Sequence, residues 1–107
     1  KPWVPIALAL GQSRLPGAFD QLRAWYERSL DAEARRVALT ALALLRHDEP
    51  LAFLLGLLRH AELDQAVAVA EVLRMYGHDP AMVSRVREAA HARPDDKAAR
   101  VLGPFKE

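Results

Sequence analysis

The chain repeats itself. Leu45-Arg46-His47-Asp48 aligns with Tyr76-Gly77-His78-Asp79 at an offset of 31 residues, and Ala41-Leu42 aligns with Val72-Leu73 at the same offset. Pro50 and Pro80 stand 30 apart, so one residue slips inside the turn. The unit reads as a helix of about four turns, a tight turn opening on His-Asp, and a shorter second helix. A helical pair of this kind cannot bury its apolar stripe alone, so it stacks on its neighbours.

Composition agrees with helices. The 107 residues hold 20 Ala, 17 Leu and 12 Arg, all strong helix formers, against 9 Val plus Ile. Apolar residues recur at helical spacing. Phe19, Leu22, Tyr26 and Leu30 predict a helix over 18–30 with Trp25 beside the stripe, and Ala34, Val37, Ala38, Ala41, Leu42 and Leu45 predict one over 32–46. Further helices are expected over 3–11, 50–59, 62–76, 80–92 and 96–102. Gly11 is the expected stop of the first. Asp31, Asp48, Asp79 and Asp95 are candidate N-caps, with Pro50 and Pro80 where a missing amide proton costs nothing. The expected core is Leu22, Val37, Ala41, Leu42, Leu45, Leu54, Leu58, Val69, Leu73 and Val86.

Residues 31–67, with Arg35-Arg36, Ala38, Ala41-Leu42, Leu45, Leu51, Leu54-Leu55 and Leu58, resemble the short HEAT-like repeat, the type also found in phycobilisome lyases. Residues 65–82 repeat the pattern with Tyr76-Gly77 at the Leu-Gly position, and a degenerate copy ends at Leu10-Gly11 and continues to Leu30. The tetratricopeptide repeat is the second resemblance. Arg93-Pro94-Asp95-Asp96 is similar to that family's repeat boundary, and Gly17 and Gly77 stand where its mid-repeat glycines would. The 31-residue register favours the HEAT-like type over a period of about 34. Either resemblance implies an all-α, right-handed α-solenoid. The expected organisation is one repeat domain of about three antiparallel helical hairpins, residues 1–30, 31–60 and 61–93, with a partial helix over 94–107. The sequence starts at Lys1, and we read it as a piece of a longer chain.

Chemistry-bearing patterns are sparse. With no Cys there is no disulfide framework, thiolate metal site or cysteine nucleophile. Ser13, Ser29 and Ser84 lie outside any Gly-x-Ser-x-Gly elbow, and no glycine-rich phosphate loop is present. Asp48-Glu49 and Asp95-Asp96 sit at helix starts, where negative charge is favoured structurally. Of the four histidines, His47, His60, His78 and His91, the first three lie next to or two residues from carboxylates, but His47 and His78 occupy equivalent turns, which in stacked repeats stand roughly 10 Å apart, too far to share one ion. The di-iron HEAT-like hydroxylases use adjacent His-Glu pairs, and this chain has no His-Glu dipeptide. We expect no catalytic residue, no metal and no cofactor.

The expected function is a non-catalytic scaffold or adaptor that binds another protein or peptide. Trp25, Phe53 and Leu57 lie off the core stripes on helices that the HEAT-like resemblance places along a concave side. In a row they would form an apolar groove rimmed by Arg23, Glu27 and Arg85. Repeats cut mid-stack would expose Ile6, Leu8, Val101, Leu102 and Phe105 for self-association. The alternative is a nucleic-acid-binding module using Arg85, Arg87 and Arg93, with Arg59 one repeat earlier. A net charge of +1 gives that reading little electrostatic drive, and Arg85 and Arg87 point about 200° apart. A lyase-type or metal-dependent enzyme fragment is the third reading. No apolar run reaches the roughly 18 residues of a membrane span, so no membrane partner is expected. Arg outnumbers Lys 12 to 3, a composition that suggests a bacterial source. The expected location is the cytoplasm, with the periplasm as the alternative.

Overall fold

The computed structural model describes residues 3–13 and 15–105. The described residues form helices joined by short turns, with no strand among them. The helices are α1 (Trp3–Gln12), α2 (Ala18–Arg28), α3 (Ala32–Leu44), α4 (Asp48–His60), α5 (Leu63–Leu73), α6 (Pro80–His91) and α7 (Ala98–Val101). Two 3-10 turns, Arg74–Tyr76 and Gly103–Phe105, follow α5 and α7. Arg14, inside the turn expected at 12–17, lies outside the described residues, as do the outer ends of the first and last expected repeats.

Local chemistry explains most boundaries. The Asp31 carboxylate accepts from the Ala34 amide at 3.2 Å, so the free donors of the first turn of α3 gain a partner. Asp79 does the same for α6, accepting from Ala81 at 3.1 Å and Met82 at 3.4 Å, with Pro80 directly after it. Asp48 is the first residue of α4 rather than a cap before it. Asp95 caps a turn instead, three residues before α7 begins, accepting from the Lys97 amide at 3.2 Å.

Several boundaries differ from the sequence expectation. α2 ends at Arg28, because the Ser29 hydroxyl donates to the Trp25 carbonyl at 2.7 Å and the Ser29 backbone turns extended. Leu30 therefore leaves the helical stripe and is 88% exposed. α1 does not stop at Gly11 but runs to Gln12. The α3 to α4 turn places Arg46 in the left-handed region at φ 58°, while its repeat equivalent Gly77 has φ −63°.

The chain divides into two compact units, Lys1–Ala52 and Phe53–Glu107. In the first, α3 packs on both α1 and α2, and α2 also touches α1. Its core holds Ala7, Leu22, Tyr26, Ala38, Leu39, Ala41, Leu42 and Leu45. Gly11 lies against Ala41 on α3, so the backbones of α1 and α3 approach where neither side chain intervenes. Val37, expected in the core, is half-buried. Leu39, one position after the expected Ala38, is buried. The second unit buries Leu54, Leu58, Val69, Leu73 and Val86, with α5 packing on α7 and on the turn Gly103–Phe105. Val101 and Leu102 are buried in it and do not form the exposed end expected from sequence. Phe105 and Leu8 are half-buried, whereas Ile6 is 68% exposed.

Candidate functional site

The first unit carries an apolar groove between α1 and α2, about 480 Å³ in volume. Its α1 wall is Ile6, Ala7 and Leu10, and its α2 wall includes Gln21, Ala24, Trp25 and Arg28. The helical period explains the α2 wall. Residues 21, 24, 25 and 28 repeat at i, i+3, i+4 and i+7, so they share one stripe. Ala18, Leu22 and Tyr26 form the buried stripe beside it. α2 thus turns a buried apolar stripe to the core and a mixed stripe to the groove, with Ala24 and Trp25 between Gln21 and Arg28. Asp20 and Arg28 supply the charges at the two ends of the α2 wall, and both are exposed. Among the described residues, Ile6, Leu15 and Leu30 are large apolar side chains left exposed.

The residues expected to form a partner surface divide between the units. Trp25 is half-buried and lines the groove. Arg23 and Glu27 are exposed on α2 and pair with each other at 3.5 Å. Such an exposed i, i+4 pair contributes about 0.3–0.5 kcal/mol and fixes no geometry. Phe53 and Leu57 belong to the second unit, both half-buried, and Arg85 is exposed on α6 in that unit.

The basic cluster considered for nucleic acid loses a member. The Arg93 side chain is only 5% exposed. Its guanidinium donates to the Leu58 carbonyl at 2.7 Å and forks onto both carboxylate oxygens of Asp95 at 3.0 and 2.9 Å. Arg93 is therefore a clamp that ties the end of α4 to the turn after α6. Those hydrogen bonds, aided by the Lys97 amide and the two nearby cations, hold the Asp95 carboxyl below the usual carboxylate range. Arg59, Arg85 and Arg87 are exposed on helix surfaces.

A second, more polar hollow of about 270 Å³ in the first unit holds His47 and Glu49 at its edge, beside Ser13 and Phe19. Among the described residues no three His, Asp or Glu side chains gather as a metal-binding group. No helix among them is long and apolar enough to cross a membrane. Sequence reasoning placed Trp25 at the site but assigned Ile6 to a cut end and passed over Asp20 and Arg28. The signal was available in the 21, 24, 25, 28 stripe, which lies beside the 18, 22, 26 stripe on the same helix. No family model, curated protein or solved structure matches the chain.

Proposed function

We propose that this chain is a non-catalytic protein-binding module built from HEAT-like helical hairpins, and that the α1–α2 groove is its docking surface. The observation that carries the reading is the apolar pair on the groove side of α2, Ala24 and Trp25. Trp25 and Ala24 face a groove whose other wall, Ile6 and Leu10, belongs to α1, and Ile6 is largely in water. Large side chains kept in water next to an apolar hollow are typical of surfaces that a partner covers. The packing of α3 on both helices of the preceding hairpin supports the repeat reading, because that is how one hairpin stacks on the next.

The test is a photo-crosslinking group placed at Gln21. The crosslinked protein is identified by mass spectrometry, purified and titrated against the chain. Ile6→Glu changes a side chain that is 68% exposed, so it is expected to keep the fold, which circular dichroism checks. It is expected to weaken binding by at least about tenfold, since it sets a charge in an apolar contact. Unchanged affinity in the folded variant would remove the groove as the docking surface.

A further inference from the structure

We propose that the occupant of the α1–α2 groove is a second copy of this chain, docked with the two α2 helices antiparallel across a two-fold axis at Ala24. This rests on the groove being a protein-binding surface and names its partner.

The charge pattern carries the inference. Asp20 lies in the first turn of α2 and Arg28 in its last, and both line the groove. Neither side chain forms a hydrogen bond or ion pair with another described residue. Ala24 stands four residues from each, so opposite charges sit symmetrically about a small side chain, roughly 6 Å away in either direction at 1.5 Å per residue. A two-fold axis at Ala24 sets Asp20 opposite the partner's Arg28 and Arg28 opposite the partner's Asp20. One operation thus satisfies both rim charges twice, as an isologous interface requires. A parallel pairing would instead bring Asp20 to Asp20 and Arg28 to Arg28. The Ala24 methyl lets the helices come near the lower limit of about 8 Å for packed axes. Ile6, beside the α2 stripe, then supplies apolar cover flanking the crossing. The net charge of +1 imposes little repulsion between copies.

Size sets the strength. An 11-residue α2 is about 16 Å long, and two helices side by side are about 20 Å wide. A face of that extent falls below the roughly 800 Å² per partner of a standard stable interface, so a weak, readily reversible dimer is expected.

Sedimentation of the chain from roughly 10 to 500 µM tests this. The wild type is expected to show a reversible monomer–dimer equilibrium. Asp20→Arg and Arg28→Asp are each expected to weaken it at least about tenfold, because each faces like charges twice. An equimolar mixture of the two variants is expected to dimerise again, because the arginine introduced at position 20 of one faces the aspartate introduced at position 28 of the other, while the native Arg28 of the first faces the native Asp20 of the second. That rescue also excludes misfolding as the cause of the loss. A wild-type dimer that ignores both substitutions, or variants that lose the dimer and do not recover it on mixing, overturns the proposal. A wild type that stays monomeric throughout overturns it too. In that case a crosslinked heterologous protein lost with Ile6→Glu leaves the protein-binding reading standing, and one bound equally well by Ile6→Glu removes both.

Discussion

Gly11 on α1 meets Ala41 on α3 backbone to backbone: a methyl group built on Gly11 would fall 2.5 Å from the Ala41 carbonyl oxygen and 2.7 Å from its Cα. A flexible side chain could swing away from such a methyl, but the middle of a buried helix cannot. Gly11→Ala should therefore push α1 off α3. Helix propensity alone would favour alanine by about 0.5–1 kcal/mol, and overpacking of a close contact typically costs about 1–3 kcal/mol. We expect a net loss of stability, read as a lower urea midpoint. A variant as stable as the parent would mean that the two helices do not touch here.

Gly56 is the control. It sits in the middle of α4, and a methyl there meets nothing within 4 Å. Gly56→Ala should gain about 0.5–1 kcal/mol from helix propensity, with no steric opposition. The two glycine substitutions thus carry opposite signs in one denaturation experiment. A loss at Gly56 would show that its side of α4 is covered.

The contrast between these glycines marks what the sequence could and could not reveal. Caps are local, so Asp31 and Asp79 could be read from the residues that follow them, and both bond the amides expected of them. Stripe periodicity is nearly as local, and it placed Leu22, Leu42, Leu54, Leu58, Leu73 and Val86, all buried. Gly11 read as a helix stop because its real constraint comes from a helix 30 positions further on. Val101 and Leu102 read as an exposed end because short segments show too little periodicity to reveal what covers them. Arg93 read as a surface cation because its main partner, the Leu58 carbonyl, is 35 residues away. The groove was half legible: Trp25 stood out as an apolar residue off the main stripe. Its α1 wall depended on how two helices meet.

The two turns that align in sequence offer a backbone test. Arg46 has φ 58°, a conformation costing a non-glycine residue roughly 1–2 kcal/mol, whereas Gly77 at the equivalent position has φ −63°. Arg46→Gly relieves that cost, and the added freedom of the unfolded chain offsets about 0.5–1 kcal/mol of it. The expected outcome is a gain of at most about 1 kcal/mol. Arg46→Val should lose stability, since a β-branched side chain is poorly accommodated at positive φ. Thermal melts of the two variants should move in opposite directions. Movement of both downward would place the residue outside the left-handed region or give its side chain a larger role.

The Arg93 clamp makes stability depend on pH in a direction that can be worked out. Arg93→Ala leaves the Leu58 carbonyl in the last turn of α4 without its donor, a loss of about 1–3 kcal/mol for a buried acceptor. The guanidinium is also what holds the Asp95 carboxyl below its ordinary range. A carboxyl with a lowered folded pKa binds fewer protons folded than unfolded. Its contribution is therefore complete above the unfolded value, near pH 4, and fades as pH falls through the folded value. Asp95→Asn should lower stability at pH 7 and flatten the decline of stability below about pH 4. Because Asp95 is solvent-exposed, the effect should be modest and should shrink with added salt. Urea unfolding of wild type, Arg93→Ala and Asp95→Asn at several pH values separates the two contributions. If Asp95→Asn declined as steeply as wild type on acidification, the proton would be taken up by another carboxylate and the fork between Arg93 and Asp95 would not govern the acid limb.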